Sequence, residues 1–423
     1  MNEASDNFRK ELRVMAENAK KSALPLSRAK AELRTQALQM IAERLLQKQQ
    51  AIEQANAEDL KRAQRQGLSA AMCDRLDISG KRFTSLYQSL LAIASQKDPL
   101  GLVGARVTRP NGLEIQKMRL PLGVILMIYE SRPNVTIDSA ALCVRSGNAV
   151  ILRGGKEAAL TNQELHQVIN EGIVQMKLPT HAVQFVKTQD HVAIDSLLEF
   201  PDCIDLVIPR GGEALIRRVV EKSRIPVIQH YKGICHIYIE QSADIKKACA
   251  IVENAKVQRP GVCNAVETIL VDKTVAQDFL RACIPSLQKA GVEIRGCANT
   301  IALFPDVKKA TELDWDTEFL DLILAIRIVD GIDQAVAHID QHGTQHTAAI
   351  VTENQKQAQT FVDNVLASCV LINASTRFND GGELGLGAEM GISTTRIHAF
   401  GPMGAEALTA EKFVVYGQGQ IRT

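Results

Sequence analysis

Two periodicities divide this chain. Up to about residue 98 the apolar positions recur at helical spacing, most clearly where Phe83, Leu86, Tyr87, Leu90, Leu91 and Ala94 fall at offsets 0, 3, 4, 7, 8 and 11, one face of an α-helix. Asp98-Pro99 ends that helix, because a residue before proline is pushed out of helical backbone. From Val124 the pattern changes to short runs that are apolar on both alternations: GVILMIYE, AVILR, AVQFV, IDLVIPR, PVIQHY, HIYIE, ETILVD, DLILAIRIV, TAAIVT and SCVLINAS, most of them separated by amphipathic helical stretches. Such runs predict strands buried on both faces, hence parallel sheets covered by helices. The pattern fits two doubly wound α/β units, joined near residues 226–240, where strands follow each other without room for a helix.

Between the two regimes lies a polar segment, 101–121, in which Pro110-Asn111-Gly112 supplies turn residues between two extended stretches. It predicts a β-hairpin arm outside the alternating pattern. The tail EKFVVYGQGQIR reads as a late strand that pairs with this arm or with another subunit.

Composition narrows the functions available. At 423 residues and 46% hydrophobic, the chain is long enough for two large cores. Lys plus Arg total 49 against 48 Asp plus Glu, so no global basic field draws in nucleic acid or an anionic membrane, and any anionic ligand is met locally. No stretch approaches the roughly 20 apolar residues of a membrane span, and the first residues hold no apolar signal core, so a cytoplasmic location is expected. The nine cysteines are scattered and odd in number, as in a reducing compartment, and neither C-x-x-C nor H-E-x-x-H is present, so no metal site is expected.

In open α/β sheets ligands sit beyond the carboxyl ends of strands, which directs attention to the loops after the apolar runs. Ser131-Arg132-Pro133-Asn134, Gly154-Gly155-Lys156 and Arg210-Gly211-Gly212 follow three of them, and the last two combine glycines with a cation, a pairing suited to phosphate. A fourth loop, Gln258 to Asn264, precedes ETILVD. Its Pro260-Gly261 break interrupts a helix and can expose the thiol of Cys263, with Arg259 nearby to favour the thiolate. A buried structural thiol is the commoner fate of a cysteine. The glycine-dense loop 378–387 around Glu383 is a candidate substrate loop or lid. His230 and His236, flanking Lys232-Gly233, read as satisfied polar residues near a strand end.

The strings Tyr129–Asn134, Arg145–Ala158 and Gln258–Ala265, continued by Asp316–Asp321, the loop 378–391 and Ala399–Gly404, resemble the gamma-glutamyl phosphate reductases, a branch of the aldehyde dehydrogenase superfamily. The resemblance runs nearly end to end. It implies an aldehyde dehydrogenase-like fold: two doubly wound parallel-sheet domains plus a small β-hairpin oligomerisation arm. An NADPH-binding domain spans 1–100 and 122–228, a catalytic domain 229–390, and the arm and tail 101–121 and 391–423. The implied activity is NADPH-dependent reduction of L-glutamate 5-phosphate to L-glutamate 5-semialdehyde through a cysteine thioester, the second step of proline synthesis. A homo-oligomer and functional association with glutamate 5-kinase are the implied partners.

Carried onto this sequence, Cys263 falls at the superfamily nucleophile, and Ser131 and Asn134 compete to complete the oxyanion hole. Arg153 falls where relatives place a Lys that meets the adenosine ribose. Lys156 replaces a Glu used on the ribose hydroxyls, and an ammonium there attracts a 2′-phosphate, which favours NADPH over NADH. Glu318 matches a Glu that meets the nicotinamide ribose, and the loops at 154–155 and 210–212 complete the expected cofactor contacts. Arg132, Arg259 and Glu383 are expected on the substrate, the two guanidinium groups on its phosphate or carboxylate. The stretch 227–233 lacks the Glu with which oxidising relatives activate water, so a thioester would be passed to hydride and not lost to hydrolysis. The rival readings are a CoA-acylating or hydrolytic aldehyde dehydrogenase and, from a different class, a catalytically silent oligomeric binding protein.

Overall fold

The computed structural model describes residues 3–188, 190–229 and 231–422. The chain forms two compact units, one of residues 1–229, 385–391 and 403–423, the other of residues 230–384 and 392–402.

In the first unit, β1 (Gly101–Thr108) and β2 (Glu114–Pro121) form an antiparallel hairpin, as the turn residues predict. Four parallel strands follow: β3 (Val124–Tyr129), β4 (Ala149–Arg153), β5 (Val183–Phe185) and β6 (Leu206–Arg210), in the order β5-β4-β3-β6. All six residues of β3 are buried, the expected consequence of helices on both faces. The helix Asn134–Arg145 begins just after Pro133 and ends at Gly147, whose φ of 75° lets the Asn148 N–H return to the Cys143 carbonyl at 2.8 Å. The helix Lys81–Ser95 buries Phe83, Leu86, Leu90, Ile93 and Ala94, the stripe its spacing predicts.

In the second unit, β7 (Cys235–Ile239), β8 (Val266–Asp272), β9 (Glu293–Gly296), β10 (Lys308–Lys309), β11 (Ile323–Val329), β12 (Thr347–Val351) and β13 (Cys369–Ile372) form one parallel sheet in the order β10-β9-β11-β8-β7-β12-β13. A short antiparallel pair, β14 (Ile392–Ser393) and β15 (Gly401–Pro402), lies in the same unit. The last strand, β16 (Thr409–Tyr416), returns to the first unit and pairs with β2 over its whole length, so the tail strand joins the arm.

Three expectations need adjustment. PVIQHY is not a strand: only Val227 bridges, to Val207, and Pro226 has no N–H with which to extend the ladder backwards; His230 lies outside the described residues. β9 and β10 went unforeseen because charged edge strands carry no apolar run. The stretch 385–402 alternates between units and does not divide once near 390. Within the first unit, Ser89 donates to the Gly387 carbonyl at 3.3 Å and Arg210 meets Glu389 at 3.0 Å, which ties 385–391 to that unit. Among the described residues no helix is long and apolar enough to cross a membrane.

Candidate active site

In the first unit the candidate residues gather at the carboxyl edge of the sheet. The register pairs Ile128 with Arg153 and Tyr129 with Arg210, so the loops after β3, β4 and β6 emerge side by side. Their centre is Glu130, a residue not singled out from the sequence. Its carboxylate accepts from the Gly212 N–H at 2.9 Å, and a Cβ at Gly211 would lie 2.5 Å from the same oxygen. A Cβ at Gly155 would lie 3.3 Å from the Glu130 Cα and from the Ser131 N, so glycine there permits close loop packing.

Ser131 is buried at a φ of 39°, a left-handed backbone uncommon outside glycine, and its Oγ has no hydrogen-bond partner among the described residues. Asn134 is exposed, and its amide donates to Asp138 at 3.0 Å. Burial raises the Asp138 carboxyl to about 6, against the pull of Asn134 and Ser89.

Arg153 is buried, and burial lowers its pKa against the opposing charges of Glu157 and Glu130. Lys156 is exposed at the start of the turn leading into the helix Ala159–Gln175, and its carbonyl accepts from Arg62 at 3.0 Å. The Arg210–Gly212 loop differs: Arg210 is paired with Glu389 and the Gly212 N–H is committed to Glu130. That loop is a structural clasp more than an open anion cradle.

In the second unit the candidate residues lie at the opposite kind of edge, just before the strands begin. Cys263 is half-buried, three residues ahead of β8. Its carbonyl accepts from the Cys235 thiol at 3.1 Å, and Gly233 is pressed so close that a Cβ there would overlap that oxygen and lie 2.7 Å from the carbonyl carbon. Glu318, ahead of β11, accepts from the Gly233 N–H at 2.9 Å. Behind it Lys256 and Glu267, both fully buried, pair at 2.6 Å, and Glu267 also accepts from the N–H of Leu320, whose φ is 54°. The segment bearing Glu318 is therefore anchored by a buried ion pair.

His346, one residue ahead of β12, is the main residue the sequence reading missed. It is fully buried, with Nδ1 2.7 Å from Thr347 Oγ1 and 3.6 Å from Cys235 Sγ. Burial pushes its imidazole down. Opposing this, the charge of Cys263, then that of Cys235, and hydrogen bonds to both sulfurs hold it well above its ordinary value. Burial likewise raises the Cys235 thiol, against the pull of His346. By contrast His236, whose Nδ1–H donates to the Ile234 carbonyl at 3.0 Å, is lowered by burial to about 4; it is not a fully satisfied polar residue, since its buried Nε2 has no partner among the described residues.

Arg377 is the second residue missed. Burial lowers its pKa, Asp380 opposes this, and the charges of Arg259 and Cys263 also act on it. Asn264 pins the loop by donating to the Asn379 carbonyl at 3.0 Å, and Arg377 donates to Gln258 at 2.8 Å. Glu383 is exposed; its N–H faces Asp380, and its carboxylate makes none of these contacts. Arg132 is half-buried just past the end of β3. Among the described residues no group of three or more His, Cys, Asp or Glu side chains is placed to hold a metal ion.

Comparison with known proteins places this geometry. Residues 2–302 match the aldehyde dehydrogenase family model. The gamma-glutamyl phosphate reductase of Desulfatibacillum aliphaticivorans is 52% identical over 409 residues, covering 97% of this chain and 98% of that one. The crystal structure of gamma-glutamyl phosphate reductase from Thermotoga maritima superposes with a TM-score of 0.93 at 41% identity, covering 98% of this chain and 100% of that one. An engineered glycolyl-CoA reductase with bound NADP+ shares the fold at 14% identity, with a TM-score of 0.68 and coverage of 95% and 96%.

Proposed function

Because this chain belongs to the aldehyde dehydrogenase family, we propose that it is an oxidoreductase that reduces L-glutamate 5-phosphate to L-glutamate 5-semialdehyde with NADPH, releasing phosphate, as the second step of proline synthesis. The observation that carries the reading is the half-buried Cys263 ahead of β8, its carbonyl held by the Cys235 thiol at 3.1 Å, with the Nδ1 of the fully buried His346 3.6 Å from that same Cys235 sulfur.

The Cys263 thiolate attacks the acyl carbon, and the tetrahedral oxyanion takes a hydrogen bond from the Cys263 N–H. Ser131 and Asn134 remain the proposed side-chain donors; the Ser131 Oγ has no partner among the described residues, whereas the Asn134 amide donates to Asp138. Phosphate leaves without needing a proton, and Arg259 and Arg377 supply the guanidinium charge to meet it, with Arg132 a further candidate for the substrate's anionic groups. His346 stabilises the sulfur as an anion twice, as attacking group and again when the thiolate departs from the reduced intermediate.

The cofactor, when bound, supplies the hydride that reduces the thioester. Residues of the first unit fit its NADPH form: Lys156 is exposed and in no ion pair with a described residue, and Arg62 and Arg153 add positive charge around the same loop. Glycines 154 and 155 let this loop pack closely on Asn162, Tyr129 and Glu130. Gly211 and Gly212 then act by shaping the edge of the sheet, and Arg210 by holding residues 385–391. Glu318 is the proposed partner of the nicotinamide ribose, and Glu383 remains a substrate-side candidate on its loop. A cytoplasmic homo-oligomer working alongside a glutamate 5-kinase completes the proposal.

The test follows NADP+ reduction by glutamate 5-semialdehyde. Rates should require inorganic phosphate, and Cys263→Ala should abolish them while leaving the circular dichroism spectrum and NADPH binding unchanged. Turnover that depends on CoA in place of phosphate, or activity retained in Cys263→Ala, would overturn the assignment.

A further inference from the structure

We propose that Cys235 is the resolving thiol for an oxidised Cys263: once a hydroperoxide has converted Cys263 to its sulfenic acid, Cys235 closes an intramolecular disulfide onto it. The chain would thereby enter a reversible inactive form. The inference rests on Cys263 being the reactive thiol, but it concerns a modification, not turnover.

Three observations converge on it. The Cys235 sulfur lies 3.1 Å from the carbonyl oxygen of Cys263, so the two residues are in direct contact. Gly233, two positions before Cys235, packs on the Cys263 backbone so tightly that any side chain would displace it, which keeps the two segments together. One imidazole lies by this pair: His346 Nδ1 is 3.6 Å from Cys235 Sγ, and Cys263 and Cys235 are the two groups whose charge holds its imidazole up. Cys235 is fully buried and Cys263 half-buried, so a small oxidant meets Cys263 first.

The chemistry balances through that imidazole. The Cys263 thiolate attacks the peroxide, its sulfur loses two electrons as the O–O bond breaks, and His346 gives its proton to the departing alkoxide. The neutral imidazole then takes the proton of Cys235 as that sulfur attacks the sulfenic sulfur. The S–S bond forms, the S–O bond breaks, and His346 returns the proton to the hydroxide, which leaves as water. Overall, two sulfurs and one hydroperoxide give a disulfide, an alcohol and water, and with hydrogen peroxide the alcohol is a second water. Closure keeps Cys263 from the irreversible sulfinic and sulfonic stages.

The full chain should be treated with hydrogen peroxide, quenched with N-ethylmaleimide, digested without reduction and mapped by mass spectrometry. The expected result is a cross-linked peptide pair containing residues 235 and 263, with activity restored by dithiothreitol. Cys235→Ala should recover roughly tenfold less of its own starting activity and accumulate the sulfinic acid at Cys263. Absence of the cross-link in the unmodified chain overturns the proposal, as does a cross-link from Cys263 to Cys369, whose thiol is also within the influence of His346. So does equal recovery in Cys235→Ala. If that variant fails to fold, the peptide map of the unaltered chain still decides. A missing cross-link beside an inactive Cys263→Ala sinks this inference alone, whereas an active Cys263→Ala sinks the catalytic assignment.

Discussion

The two parallel sheets carry their candidate residues at opposite edges. In the first unit Ser131, Lys156 and Gly211 follow the strands β3, β4 and β6, at the carboxyl edge, where loops are free to present glycines and cations to a ligand. In the second unit Gly233, Cys263, Glu318 and His346 all precede the strands β7, β8, β11 and β12, at the amino edge. The contrast extends to packing. The first edge is exposed at Lys156 and Asn134, whereas the second is wedged: a glycine against a carbonyl, a buried imidazole against the Cys235 sulfur, a buried ion pair behind. Binding a diffusible cofactor suits accessible donors, and tuning a thiol suits a rigid, partly desolvated one.

This difference predicts that substitutions at the amino edge lower kcat and thiol reactivity, while those at the carboxyl edge change cofactor preference. The largest effect after loss of Cys263 itself is expected from His346→Gln, a fall in kcat/KM of about 10²–10⁴-fold with NADPH affinity unchanged. The pH dependence follows from the sign of the shift. His346 is raised in the folded chain, so its stabilising contribution is complete below the unfolded value of ~6.5 and is lost as pH rises through the raised one. Alkylation of Cys263 by iodoacetamide, followed against pH, should show a limb due to the His346 proton that His346→Gln lacks. An unchanged profile would remove His346 from the chemistry.

Next in size is Gly233→Ala. Its methyl meets the Cys263 carbonyl backbone, not a flexible side chain, so overpacking should cost about 1–3 kcal/mol of stability and displace the thiol. Denaturant midpoint and kcat should fall together; a variant of full stability and full rate would show that this close contact does not position Cys263. The smallest of the three is Lys156→Glu, where charge reversal should change the NADPH to NADH preference by about 10- to 100-fold, the ~1.5–3 kcal/mol of a hydrogen bond to a charged group. The kcat with saturating cofactor should hardly move. A Lys156→Glu enzyme with altered thiol labelling would mean that the two edges are not separable in function.

How far the site could be read in advance follows the same divide. Ser131 and Lys156 were legible because each follows an apolar run, and the rule for open sheets points there, whereas Arg153, the last residue of its run, was singled out only by the family resemblance. Cys263 was legible through the helix-breaking Pro260-Gly261 and through its surrounding string. His346 was not: it precedes TAAIV, one of several histidines, and nothing local distinguishes it from His342, which instead pairs with Asp316 at 2.8 Å. Arg377 and Glu130 were hidden for a related reason, since a charged residue shows its role only when its partners, distant in sequence, are known.

What the sequence alone determined is therefore most of the buried strands, the hairpin arm and the family strings, because burial on both faces and turn chemistry leave local marks in residue type. Tertiary structure decided which sulfur and which imidazole meet. Cys235, Cys263 and His346 come from three strand entrances separated by 28 and 111 positions along the chain from Cys235. Only the parallel pairing of β7 with both β8 and β12 brings those entrances together, and the burial of His346 beside Cys235 exists only where such pairing has already excluded water.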